Sequence, residues 1–191
     1  MDAIEHHLPK ANIYIIREYV KETGQLFDYL KNHLSWIRGR SPSSPAYCNM
    51  GTDYLASSGK LRTGQKLDPI VFQLLNRIND ELNVMMNSCF AILYETEQAE
   101  LPYREQATPS LDQDQPILTV FCGASSKVVF KDILNAEEFE FVLLDGDLLI
   151  LPDYCQKNYL NSIKKAETVF NPRLSLSFRR FNDGVFYSTL F

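Results

Sequence analysis

Two hydrophobic rhythms divide the chain. Up to about residue 86 the apolar positions recur mainly at helical spacing. After Thr23, read as an N-cap, Leu26, Phe27, Leu30 and Leu34 predict an amphipathic helix running to about Trp36. Asp68-Pro69 predicts the start of a second, because a capping carboxylate is followed by proline at the first helical position, where a missing N–H costs nothing. Val71, Leu74, Leu75, Ile78 and Leu82 form its buried stripe. Ile13-Tyr14-Ile15-Ile16 predicts a short strand before the first helix. Residues 39–64, rich in Ser, Gly and Pro, read as a long loop with short strands around Tyr47 and Tyr54.

From Asn87 onward the period is that of strands. Predicted strands are Cys89–Tyr94, Ile117–Cys122, Lys127–Phe130, Phe139–Leu144, Leu148–Leu151 and Arg173–Arg179, with a last one over Val185–Phe191. Many short strands joined by turn-like linkers argue a sandwich or barrel with the early helices packed outside it. The fold class is α+β. In Arg173-Leu174-Ser175-Leu176-Ser177-Phe178-Arg179, alternation puts the three apolar residues on one face and Arg173, Ser175, Ser177 and Arg179 on the other. Either the polar row lines an interior, where its arginines need anions, or it faces solvent.

Composition narrows the class of protein without naming its chemistry. At 191 residues the chain is most simply one domain, long enough to bury a full core. No run of about 18 apolar residues is present, so no membrane span is expected. Met1 to Lys10 lacks the basic-then-apolar layout of a secretory signal. Together with four widely spaced cysteines, this predicts an intracellular protein, cytoplasmic or nuclear, with reduced thiols. The net charge of −5 gives no global attraction to nucleic acid. The charge is uneven, however. Between Trp36 and Lys66 the cations Arg38, Arg40, Lys60, Arg62 and Lys66 face Asp53 alone.

The segments "NSCFAILY", "LPYREQATPSLDQDQPILTVFCG", "LLDGDLLILP", "NYLNSI" and above all "NPRLSLSFR" appear in an order and spacing that resembles the AlkB family of Fe(II)- and 2-oxoglutarate-dependent dioxygenases. The resemblance covers nearly the whole chain. It implies a double-stranded β-helix, or jelly roll, with N-terminal helices on its outside. Within that single domain, residues 1–86 would supply the helices and a lid-like loop region, and 87–191 the jelly-roll core. Family members hold iron with His-x-Asp and a distal histidine, a set that leaves open positions for 2-oxoglutarate and oxygen. By this resemblance the three ligands fall on Tyr103, Glu105 and Asn161. The Asn-x-Tyr pair that touches 2-oxoglutarate falls on Ile92 and Tyr94, and the two arginines on Arg173 and Arg179.

The only histidines, His6, His7 and His33, precede the β-rich part and read as unable to enter the barrel's metal position. His6 and His7 read as part of a flexible tail, and Asp145-Gly146-Asp147 as a hairpin turn rather than a calcium loop. Tyr103, Glu105 and Asn161 offer oxygen alone, and Tyr103 would first have to lose a proton from a group whose ordinary pKa is about 10. Such a set suits Fe(II) poorly.

The expectation is therefore a catalytically inactive AlkB-like domain without a cofactor, kept for binding or assembly. Its partner would be a protein or a single strand of RNA or DNA. For nucleic acid the candidate contacts are Trp36, Arg38, Arg40, Tyr47, Tyr54, Lys60, Arg62 and Lys66, cations beside aromatics. Two alternatives stand beside it. One is an atypical 2-oxoglutarate-dependent demethylase or hydroxylase of nucleic acid, using Tyr103, Glu105 and Asn161. The other is a sensor that binds a small dicarboxylate through Tyr94, Arg173 and Arg179. Pairing of those arginines with Glu105, Asp145 or Asp147 would make them purely structural.

Overall fold

The structure is a computed structural model and describes residues 2–39, 41, 43–56, 58–96, 98–104, 108–166 and 171–182. Arg40, Glu105 and the strand expected over Val185–Phe191 lie outside these. In chain order the elements are β1 (Ile4–Leu8), β2 (Ala11–Ile16), α1 (Thr23–His33), β3 (Ala46–Gly51), β4 (Tyr54–Leu55), β5 (Leu61–Arg62), α2 (Pro69–Leu82), β6 (Ser88–Tyr94), β7 (Leu101–Arg104), β8 (Ile117–Gly123), β9 (Ser126–Asp132), β10 (Glu138–Leu143), β11 (Leu148–Leu151), α3 (Asp153–Asn158), β12 (Tyr159–Lys165) and β13 (Arg173–Arg179). A seven-stranded sheet runs β1-β2-β11-β8-β13-β6-β3, and a four-stranded sheet runs β10-β9-β12-β7. Neighbouring strands in both are antiparallel. β4 and β5 form a separate small hairpin. This is a jelly-roll arrangement.

Alternation along the strands creates two apolar layers. Ile13, Ile15, Ile92, Phe121 and Leu149 of the large sheet meet Val128, Phe130, Leu143, Tyr159 and Ile163 of the small one and fill the barrel. On the other face of the large sheet, Cys89, Ala91, Leu93, Leu118, Val120, Leu174, Leu176 and Phe178 share a cluster with Leu30 of α1 and Val71, Leu74, Leu75 and Ile78 of α2. A strand buried on both faces carries apolar residues at odd and even positions alike, which is why β6 and β8 read as nearly continuous hydrophobic runs.

The second helix starts as its sequence dictates, with the Asp68 carboxylate accepting from Ile70 N at 2.9 Å and Pro69 in the first turn. The first differs. Glu22, in left-handed backbone, precedes it, and Thr23 is already helical, its hydroxyl donating to Asp145. Residues 4–8 form an edge strand rather than a tail, because pairing with β2 satisfies their backbone. His7 Nδ1 lies 3.0 Å from Asn12 Oδ1, and the His6 ring packs edge-on against Phe141 at 5.3 Å. β5, β7, α3 and β12 were not predicted as elements. Each is too short or too mixed for its period to stand out.

Asp145-Gly146-Asp147 makes the tight turn expected of it. Gly146 has φ +82°, and a Cβ there would come within 2.3 Å of the Val20 carbonyl oxygen. Asp147 is buried, accepts from Leu144 N (2.7 Å) and Glu18 N (3.2 Å), and pairs with Arg17. Asp145 accepts from Gly123 N (2.8 Å) as well as from Thr23. Both carboxylates therefore serve the turn and the start of α1, which corrects the idea that they neutralise Arg173 and Arg179.

Asp132 is buried as well. Its pair with Lys10 Nζ at 2.6 Å, helped by the N–H groups of Leu134 and Asn135, holds its carboxyl below the usual carboxylate range. A depressed native pKa contributes stability that is present above the ordinary carboxylate value, near 4, and is lost as pH falls through the native one. Urea unfolding from pH 6 down to pH 3 should therefore show a decline that is shallower in Asp132→Asn than in the parent. Parallel profiles would mean Asp132 is not a source of the acid lability.

Candidate binding site

The inner face of β13 carries the polar row. β13 lies between β8 and β6, so its side chains have no route to bulk solvent across the sheet. Ser177 Oγ is satisfied by Thr119 Oγ1 at 3.0 Å. Arg173 is 1% exposed and stacks its guanidinium 4.5 Å from the Tyr94 ring centre. Its Nη2 donates to Ala99 O at 3.1 Å, whereas Nε and Nη1 have no hydrogen-bond partner within the protein. The Tyr94 and Ser175 hydroxyls, both fully buried, approach one another without completing a hydrogen bond. Burial lowers the Arg173 pKa and raises that of Tyr94, in each case the charged form losing hydration.

The opposite wall departs from the reading of "LPYRE". In the pairing of β12 with β7, Asn161 stands opposite Arg104 and Ile163 opposite Leu101. Three residues of β12 thus span four of β7, with Pro102 and Tyr103 opposite Ser162 alone, so β7 carries a bulge. Arg104 consequently shares the inner face with Asn161. Its guanidinium lies 5.8 Å from the centre of the Phe90 ring, and Arg179 approaches the same ring at 5.9 Å. Tyr103 points to the other face of the small sheet, its ring flanked by the ammonium groups of Lys131 at 5.3 Å and Lys164 at 5.5 Å. The positions assigned to the iron ligands are thus not brought together: Asn161 faces in and Tyr103 faces out. Glu105 is outside the described residues.

Arg104 has its Nε buried without a partner, and it forms no ion pair among the described residues. Burial lowers its pKa, while Tyr94 and Tyr54 act in the opposite sense. Arg179 is pushed down to about 10, first by burial and then by the like charge of Arg104. A guanidinium keeps its proton in proteins, so both are cations. Three guanidinium groups therefore converge on the barrel interior from β7 and β13. Arg104 was missed because a one-residue bulge reverses which side chain of a four-residue strand faces in, and spacing carries no trace of it.

Beside this interior opens a cleft of about 420 Å³, lined by Ile37, Tyr47, Asn49, Tyr54, Arg62 and Phe90 among others. Phe90 belongs to both spaces, since its ring lines the cleft and carries the two guanidiniums. Tyr54 stacks on Phe181 at 4.4 Å, and Tyr47 tilts against Phe90 at 5.9 Å. Of the proposed nucleic-acid contacts, Tyr47, Tyr54 and Arg62 meet here, and Lys60 and Lys66 are exposed nearby in sequence. Trp36 is not in the cleft. It packs against the helix-side core and donates Nε1–H to Lys31 O at 3.0 Å. Arg38 is paired with Glu95 beside a different, smaller pocket.

Other reactive groups are engaged or shielded. Cys48, Cys89, Cys122 and Cys155 are free and buried, and burial pushes the thiols of Cys48 to about 11 and of Cys122 and Cys155 to about 12. That makes them poor nucleophiles at neutral pH. His33 Nδ1 lies 2.8 Å from Tyr29 O, and its ring stacks on that tyrosine. Among the described residues no three His, Cys, Asp or Glu side chains converge as a metal site would need. No helix among them is long and apolar enough to cross a membrane.

No family model matches this sequence, and no curated protein sequence does either. Solved structures do. The structure of OsALKBH1 superposes with a TM-score of 0.68 at 12% identity, covering 93% of this chain and 100% of that one. An oxidoreductase of the 2OG-Fe(II) oxygenase family from Burkholderia pseudomallei gives 0.61 at 11% identity, covering 87% and 82%. At such identities the likeness speaks for the fold alone, and the fold of this chain is that of the AlkB-like 2OG-Fe(II) oxygenases.

Proposed function

We propose that this chain is a catalytically inactive AlkB-like domain that acts as a binding module, and that the ligand of its aromatic cleft is single-stranded nucleic acid. The observation that carries the first part is the pairing of Arg104 with Asn161 on the inner face. A ferrous ion needs imidazole or carboxylate lone pairs. A guanidinium has none to give and repels a dication, and a neutral amide oxygen is a weak donor. With Tyr103 turned to the opposite face, the inner-face donors among the described residues do not fit iron. Anaerobic titration with Fe(II) and 2-oxoglutarate should leave the visible spectrum flat. A charge-transfer band, with turnover of a methylated base that Glu105→Ala abolishes, would reverse the reading and restore the enzyme.

The nucleic-acid part rests on chemistry in the cleft. Tyr47, Tyr54 and Phe90 offer ring faces to bases, and Arg62, with Lys60 and Lys66 exposed beside it, offers charge to phosphates. Fluorescence anisotropy of labelled single-stranded RNA should show binding at low salt that weakens as salt rises, with a slope of about −0.7 per phosphate contacted. Absence of binding at low salt would turn the assignment towards a protein partner.

A further inference from the structure

We infer that the free edge of β1 is a self-docking surface, on which a second copy of this chain adds its own β1 antiparallel and joins the two large sheets into one.

The two edges of the seven-stranded sheet differ in how they are covered. At β3 the outward backbone is occupied. Ile37 and Tyr47 exchange N–H···O bonds of 2.8 and 2.9 Å, Gln65 N donates to Asn49 O at 2.8 Å, and Gly51 N donates to Gln65 O at 2.8 Å. At β1, pairing with β2 runs unbroken from Ile4 to Leu8, and among the described residues no strand or loop backbone bonds to its other side. Such an edge presents unpaired N–H and C=O groups as a template for another strand, unless lysine, proline or a bulge blunts it. Ile-Glu-His-His-Leu has none of the three.

A second copy fits because these five residues complement themselves when read backwards. With a two-fold axis through His6, Ile4 stands opposite the second copy's Leu8, Glu5 opposite its His7, and His6 opposite its equivalent. Apolar meets apolar, and each carboxylate meets an imidazole instead of its like on both sides of the axis. A shift by two residues, the next register that keeps the faces aligned, would set Glu5 against Glu5 or His7 against His7.

The side chains are already oriented for this. On the exposed face, Asn12 Nδ2 and the Tyr14 hydroxyl donate to Glu5 Oε1 at 2.7 and 3.1 Å, and Asn12 Oδ1 lies 3.0 Å from His7 Nδ1. On the barrel side Leu8 is buried, whereas Ile4 is 47% exposed. His6 Nε2 is buried without a partner inside one chain, and it lies at the axis, to which the second copy brings its own imidazole. Five paired residues fall short of a standard interface of about 1,600 Å², so the dimer is weak and concentration-dependent. β1 and β3 are opposite edges of the sheet, so the aromatic cleft beside β3 stays open in both copies.

Sedimentation velocity of the full chain, from micromolar to submillimolar concentration, should show the mean mass rising towards that of two chains. Glu5→Lys puts a cation opposite His7, and His7→Glu puts a carboxylate opposite Glu5. Each alone should raise the dissociation constant about tenfold, since every dimer then carries two unfavourable pairs. Mixed in equal amounts, the two variants should associate as tightly as the parent, because each meets its opposite at both positions. Amide hydrogen exchange over residues 4–8 of the parent, which needs no variant, should slow as concentration rises. The inference is overturned if the parent stays monomeric throughout, if either variant alone dimerises as the parent does, or if the mixture does not recover. Exchange at 4–8 that ignores concentration would overturn it as well.

Discussion

Phe178→Ala is expected to lower the unfolding free energy by about 3–5 kcal/mol, the range for removing a fully buried aromatic ring. Phe178 is fully buried in β13, paired with Cys89 on one side and Leu118 on the other, and its ring points away from the barrel into the cluster formed with α1 and α2. Those neighbours belong to hydrogen-bonded strands and cannot collapse into the void. Urea unfolding followed by circular dichroism measures the effect. The companion substitution Ser177→Ala, one residue back on the opposite face, removes a single hydroxyl contact with Thr119 and should cost about 1 kcal/mol. Similar losses at both positions would mean that the two faces of β13 are not divided as described.

The second large effect is on binding. Tyr47→Ala should weaken single-stranded RNA by about 1–3 kcal/mol, roughly ten- to a hundredfold, if its ring carries a stacked base. Tyr47 suits this better than Tyr54, because one face of Tyr54 is already covered by Phe181. Arg62→Ala should act differently, weakening binding less and reducing the salt slope by about one contact. Trp36→Phe serves as the control. That indole is held by Lys31 O away from the cleft, so RNA affinity should be unchanged. A loss in Trp36→Phe equal to that in Tyr47→Ala would place the binding surface elsewhere.

The cleft and the barrel interior meet at Phe90. Its ring is a wall for a base on one side and a platform for Arg104 and Arg179 on the other.

Much of the architecture was legible in the residues. Period-2 patterning located β6, β8, β11 and β13 to within a residue or so, and Asp68-Pro69 marked the start of α2. The division of β13 into an apolar and a polar face followed from alternation alone. Short elements were less readable. β12 reads YLNSIKK, and its pattern is obscured by Ser162, a polar residue buried on the outer face. The six residues of α3 are too few to establish a helical period. The edge strand β1 looked like a tail because its histidines and glutamate carry no apolar alternation, and only pairing with β2 makes it a strand.

By itself the sequence determined the class of fold, the apolar face of β13 and the presence of two arginines at its ends, since these depend on local periodicity. Tertiary structure decided which residues share the interior. A bulge in β7 exchanged Tyr103 for Arg104 opposite Asn161, and the turn at Gly146 took the acidic residues away from the arginines. Both outcomes depend on strand register and on distant partners, and one residue of slip sends a side chain to the opposite face of a sheet.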